Sequence, residues 1–155
     1  MSNEEEKTFR RLAVELQILE GSAQTLQSRA NVVNAALTEL RIANMTLEGL
    51  EKEKKNTPLF VPIGGGSYIK AKLESANKVI VGIGANVAVE RTTKEAKEKL
   101  GNRITELEKT RTSLGQQFVQ VIEKIQEDRD RLEEITAKLR KGETTKGVRK
   151  TKKRT

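Results

Sequence analysis

Two glycine-containing stretches invite a phosphate-binding reading. Val79-Ile-Val-Gly82-Ile-Gly84 carries a hydrophobic strand into Gly-x-Gly, the opening of a dinucleotide-binding turn. Such a turn needs a third glycine for close packing and a capped helix whose N-terminus meets the pyrophosphate. The third glycine would fall at Val87, and no cap signal begins a helix there, so the reading is rejected. Gly64-Gly65-Gly66-Ser67 lacks the spacing and the lysine of a P-loop and reads as a hairpin turn. The chain has no cysteine and no histidine, which removes thiolate chemistry and the commonest general base and metal ligand. Its carboxylates run consecutively, as in Glu4-Glu5-Glu6 and Glu133-Glu134, so on a helix they point in different directions and form solvated faces. No catalytic, cofactor-binding or metal-binding constellation is left, and the chain reads as something other than an enzyme.

The remaining chemistry is electrostatic. From Arg140 onward, eight basic residues face the single Glu143, a local charge of +7 out of +8 for the whole chain. A polycationic tail can solubilise, can dock on an acidic protein, or can bind nucleic acid by releasing counterions, and no aromatic is interleaved here to stack on bases. The sequence leaves these three readings open.

The elements that must position any site are helices with a coiled-coil repeat. Phe9, Leu12, Leu16, Leu19, Ala23, Leu26, Ala30, Val33, Leu37, Leu40, Asn44 and Leu47 recur at spacings of three and four. Leu100, Ile104, Leu107, Arg111, Leu114, Phe118, Val121, Ile125, Asp128, Leu132, Ile135 and Leu139 do the same. A 3.5-residue apolar period keeps one seam facing a partner helix. Pairing Phe9 with Leu139 and Leu47 with Leu100 holds both seams in register, so the chain is expected to fold back on itself with its two ends together. Polar residues at the seam positions Asn44, Arg111 and Asp128 set register and weaken packing, or serve a need for flexibility in the rods, and the pattern alone does not choose between these readings.

Local signals bound the helices. Ser2 with Glu5, and Thr92 with Glu95, form capping-box patterns at the two starts. Lys52, Lys54 and Lys55 followed by Asn56 and Pro58 predict the first stop, and Gly142 predicts the second. Between the helices the apolar period drops to two: Leu59, Val61 and Ile63, then Ile69, Ala71 and Leu73, then Val79, Val81 and Ile83, then Val87 and Val89. This predicts two β-hairpins, one turning at Gly64–Gly66 and one at Gly84–Asn86. The expected organisation is a first coiled-coil helix over 2–56, two hairpins over 57–91, a second coiled-coil helix over 92–141 and a basic, disordered tail over 142–155.

Two short hairpins have open edges and too little apolar area to stand alone. The segment is therefore expected to join copies or partners, with Val61, Ile63, Ile69, Leu73, Val79, Val81, Ile83, Val87 and Val89 as the assembly residues. The fold class is mainly α with a small β part: a long antiparallel intramolecular coiled coil connected by two β-hairpins through which an oligomer is joined. The acidic Met1–Lys7 stretch has no apolar run behind it, and Val79–Val89 is too short to span a bilayer, so no membrane association and a cytoplasmic location are expected.

Coiled coil, two hairpins, coiled coil, with Leu59-Phe-Val-Pro-Ile-Gly-Gly-Gly-Ser-Tyr-Ile-Lys-Ala71 and Val79-Ile-Val-Gly-Ile-Gly-Ala-Asn-Val-Ala88, resembles the prefoldin alpha-subunit family, archaeal type. The likeness covers residues 5–140, and the basic tail departs from it. The resemblance implies a hexamer of two alpha and four beta subunits, hairpins gathered into β-barrels, and coiled coils whose distal ends hold unfolded proteins without ATP or any cofactor. It further implies delivery of those clients to a group II chaperonin. Here the distal ends carry Phe9, Leu12 and Leu16 on one helix and Leu132, Ile135 and Leu139 on the other, the candidate client-binding residues. The competing expectation is a nucleic-acid-associated coiled-coil protein acting through its basic C-terminal tail.

Overall fold

The computed structural model describes the backbone of residues 3–151 and the side chains of residues 4–138 and 140. In chain order the elements are α1 (Asn3–Leu50), β1 (Pro58–Gly64), β2 (Ser67–Lys72), β3 (Lys78–Gly84), β4 (Val87–Thr92) and α2 (Thr93–Thr151). The chain divides into two compact units: Met1–Asn31 with Thr112–Thr155, and Val32–Arg111.

The second unit holds both hairpins and the hairpin-proximal parts of the two helices. Leu37 and Ala96 are buried there, and Leu40, Leu47, Leu100, Ile104 and Leu107 are half-buried, so the heptad seam is the core. The helices run antiparallel, fixed on the flanks by ion pairs from Arg41 to Glu108 at 2.6 Å and from Lys97 to Glu51 at 2.9 Å. Arg111, although at a seam position, lies exposed, because a long cationic stem can carry its head out to water. In the first unit Leu12, Ala23, Leu114 and Ile125 form the buried seam together with Asp128, and Arg129 pairs with Glu20 at 2.7 Å.

The capping box expected at Thr92 is present. The Glu95 backbone N–H donates to Thr92 Oγ1 (3.2 Å), and the Thr92 N–H donates to Glu95 Oε2 (3.0 Å), so two orphan donors at the start of α2 are satisfied reciprocally. The box expected at Ser2 lies outside the described residues. Two helix ends differ from the sequence reading. α1 stops at Leu50, before Lys52, Lys54 and Lys55: Gly49 sits in its last turn, and the next bonds, Lys52 N–H to Gly49 and Glu53 N–H to Leu50, are tighter three-residue closures. α2 continues through Gly142 to Thr151, because no proline follows and the residues beyond that glycine include good helix formers.

Each hairpin is a separate two-stranded antiparallel sheet, β1 with β2 and β3 with β4. Both turns need left-handed backbone: Gly65 and Gly66 at φ 57° and 73°, and Ala85 and Asn86 at φ 48° and 59°. Positive φ at both central residues matches the twist of the flanking strands, which is why glycine and asparagine concentrate there. The first hairpin is tied at its root by the Leu73 N–H donating to the Thr57 carbonyl at 2.9 Å. That bond puts the odd-numbered residues of β1 on the ladder side. The prolines at 58 and 62, which have no N–H, therefore face the free edge.

Candidate functional site

In the second unit the strands leave a large apolar surface without cover. Val61, Ile63, Ile69, Ile83 and Val87 are each about half exposed, while Val79, Val81 and Val89 are half-buried on the helix side. Period-2 geometry sends odd-numbered and even-numbered side chains to opposite faces of each hairpin. The aliphatic residues predicted for assembly thus share the odd-numbered face, and the edges of both sheets are unpaired. Leu73 is the exception among them. It is 9% exposed and lies beyond the end of β2, so it roots the first hairpin into its unit instead of offering surface.

In the first unit the predicted client-binding residues fall into three groups. Phe9 is 37% exposed, Leu16, Leu132 and Ile135 are half-buried, and Leu12 is buried at 1%. The Leu139 side chain lies outside the described residues. The seam at this end therefore presents Phe9 and the flanks of Leu16, Leu132 and Ile135, with Leu12 withdrawn into the packing. Sequence reasoning missed Val14 and Ile18 on α1 and Val119 and Ile122 on α2, all exposed. Their signal was available as apolar residues off the heptad seam, Val14 and Ile18 being four apart on one helix face.

The same unit holds the one buried charge of its seam. Asp128 is fully buried, its Oδ1 accepts from Lys124 Nζ at 3.0 Å, and its Oδ2 has no hydrogen-bond partner. The bond to Asp128, followed by the fields of Asp128 and Glu15, holds the Lys124 ammonium above its usual pKa. At the other unit the hydrogen bond to Glu51 does the same for Lys97, and the Thr92 cap holds the Glu95 carboxyl below its usual value. Of these groups, Glu95 lines a surface pocket with Glu98, Lys99, Asn102, Arg103 and Glu106. Among the described residues no set of three or more carboxylates is grouped to hold a metal ion, and no helix is long and apolar enough to cross a membrane.

A pair of long helices separated by two hairpins, with a heptad seam in each unit, is an arrangement that comparison with known proteins can place. Residues 19–145 match the family model of the prefoldin subunit. The chain belongs to the prefoldin family. It is 36% identical over 115 residues to the prefoldin subunit alpha of Pyrococcus horikoshii, covering 71% of this chain and 78% of that one. It is 29% identical over 128 residues to the prefoldin subunit alpha of Methanococcoides burtonii, covering 78% and 93%. In fold it is similar to a chain of the filamentous PFD of Methanocaldococcus jannaschii determined by cryo-electron microscopy, at a TM-score of 0.63 and 24% identity, covering 72% of this chain and 92% of that one. Two hairpins and flanking coiled-coil helices are thus the prefoldin fold, and the chain is a chaperone subunit and not an enzyme.

Proposed function

We propose that this prefoldin chain is an alpha-type subunit that assembles through its hairpins with beta-type subunits, two alpha to four beta, and holds unfolded polypeptides at the ends of its coiled coil. Holding requires no ATP and no cofactor, and the client then passes to a group II chaperonin in the cytoplasm. The observation that supports the client site most directly is Phe9, an aromatic seam residue left 37% exposed among half-covered Leu16, Leu132 and Ile135. Partly covered apolar side chains at a helix end offer contact to a chain whose own core is exposed, with little demand on its sequence. Several such ends acting on one client add avidity, so each contact can remain weak and releasable.

The experiment is suppression of aggregation of a heat-denatured protein by the complex assembled from this chain and a beta-type subunit. Replacing Phe9, Leu16, Leu132 and Ile135 by serine is expected to abolish suppression while the native mass of the complex is kept. Retained suppression at unchanged mass rejects the tip assignment. Nothing in the fold or among the relatives favours nucleic-acid association through the basic tail.

A further inference from the structure

The two hairpins are one design built twice, and the comparison isolates what is peculiar to the first. Adding 20 to each residue number of β1 and β2 yields β3 and β4: Pro58↔Lys72 becomes Lys78↔Thr92, Val61↔Ile69 becomes Val81↔Val89, and Gly64↔Ser67 becomes Gly84↔Val87. The irregularity between residues 62 and 64 recurs between 82 and 84, and the root bond from Leu73 to Thr57 recurs from Thr93 to Asn77. Backbone and register are therefore held constant, and side chains are the variable.

On the odd-numbered face both hairpins carry aliphatic residues, at 61, 63 and 69 and at 81, 83 and 89, although Ser67 and Ala71 correspond to Val87 and Arg91. On the even-numbered face they part. The second hairpin places Ile80 beside a cross-strand pair, Lys78 to Glu90 at 2.7 Å, which neutralises itself. The first places Phe60 and Tyr68, 67% and 62% exposed, beside Lys70 and Lys72. Where the second hairpin has Glu90 the first has Lys70, and among the described residues Lys70 and Lys72 make no ion pair. The charge of the even-numbered face follows: β1 and β2 place Lys70 and Lys72 there, a net of +2, whereas β3 and β4 place Lys78 and Glu90 there, a net of zero. Under the assembly proposed above, pairing at strand edges and covering of the odd-numbered face leave this cationic, aromatic face unused.

We propose that the even-numbered face of the first hairpin is a docking surface for an acidic polypeptide segment bearing apolar anchor side chains. Phe60 and Pro62 supply an apolar row along β1, and Lys70 and Lys72 a cationic row along β2 beside it. In an extended peptide lying along the strands, every second side chain meets the same row, because strand and ligand share the two-residue period. Apolar anchors then meet Phe60 and Pro62 while carboxylates meet the lysines. Single-stranded nucleic acid fits less well, since it depends on a run of planar rings for stacking and the proline rings of the β1 row are saturated.

Tyr68 is the single tyrosine and the chain has no tryptophan, so tyrosine emission reports this face without a label. The full chain, alone and assembled with a beta-type subunit, is titrated with a peptide alternating glutamate and leucine, with a lysine–leucine peptide of equal length, and with oligothymidylate. A saturable change in Tyr68 emission is expected with the glutamate–leucine peptide alone. Lys70→Glu combined with Lys72→Glu is expected to weaken it by roughly tenfold or more, about 1.4 kcal/mol per factor of ten. Lys78→Gln on the second hairpin is expected to leave it unchanged, with native mass and helical circular dichroism the same in all variants. Equal response to the lysine–leucine peptide, tighter binding of oligothymidylate, or indifference to the charge reversal overturns the proposal. So does loss of Tyr68 quenching by acrylamide on assembly, which would make this face a subunit contact.

Discussion

Asp128→Leu is expected to stabilise the first unit, against the usual direction of substitutions at fully buried positions. The side chain has no exposed surface, Oδ1 takes one bond from Lys124, and Oδ2 takes none. A buried acceptor left without a donor costs roughly 1–3 kcal/mol; removing one partner of an ion pair is costly where the other charge is left buried, and Lys124 is 37% exposed and keeps Glu127 at 3.6 Å. Leucine is larger than aspartate, and overpacking returns about 1–3 kcal/mol if the seam cannot adjust. The net expectation is about 1–2 kcal/mol of stabilisation, a rise in Tm of roughly 2–8 °C for a chain of this size. Circular dichroism at 222 nm gives the melting temperature, and amide hydrogen exchange across 125–132 localises the gain. Because Lys124 has its ammonium held above the usual value, its contribution is intact below pH 10.5 and is lost as pH rises through the higher folded value. The wild-type chain should therefore lose part of its stability above pH 10.5, and Asp128→Leu should lose less, the Lys97 contribution being common to both. A lower Tm for the leucine variant, or unchanged exchange over 125–132, would refute the view that the unpaired oxygen loosens this seam.

Three further expectations are independent of that one. Serine at both Val81 and Ile83 should dissociate the assembled complex while leaving helicity largely intact; unchanged mass by light scattering counts against the hairpins as the joint. Thr92→Ala should cost about 1 kcal/mol by removing the N-cap of α2, and the Glu95 contribution, present above pH 4.5, should fade as pH falls through its lowered folded pKa; exchange rates of the first-turn amides of α2 measure both. Ala85→Gly should stabilise by about 1 kcal/mol, because φ 48° is strained for alanine and free for glycine; an unchanged or lower Tm would contradict this.

Much of the fold was legible because its determinants are local or periodic. The 3.5 spacing of Leu12, Leu37, Leu114 and Ile125 names the residues that are buried, and the reciprocal bonds of Thr92 and Glu95 were readable from two letters three apart. The hairpin turns were legible from Gly65-Gly66 and Ala85-Asn86. What stayed hidden depends on competition between weak signals. Lys52, Lys54 and Lys55 suggested a longer α1, yet Gly49 and the early three-residue closures end it at Leu50. Gly142 suggested a stop, but a lone glycine costs a helix only about 1 kcal/mol when good helix formers surround it. At the candidate client site, period could list Phe9, Leu12 and Leu16 as equals, but not that Leu12 is covered while Phe9 is open, since coverage depends on the facing helix. Leu73 is buried past the end of β2 for a related reason: alternation assigns a face and does not say where a strand ends.

The two prolines of β1 carry a consequence for how the protein survives before it meets its subunits. A bare strand flank is a template on which stray chains can polymerise, and a two-stranded sheet has two such flanks. Removing hydrogen-bond donors at 58 and 62 leaves the outer border of β1 able to donate little along its length, so a foreign strand cannot zip onto it. A protein whose own trade is sticky chains thereby carries a guard against being captured by them.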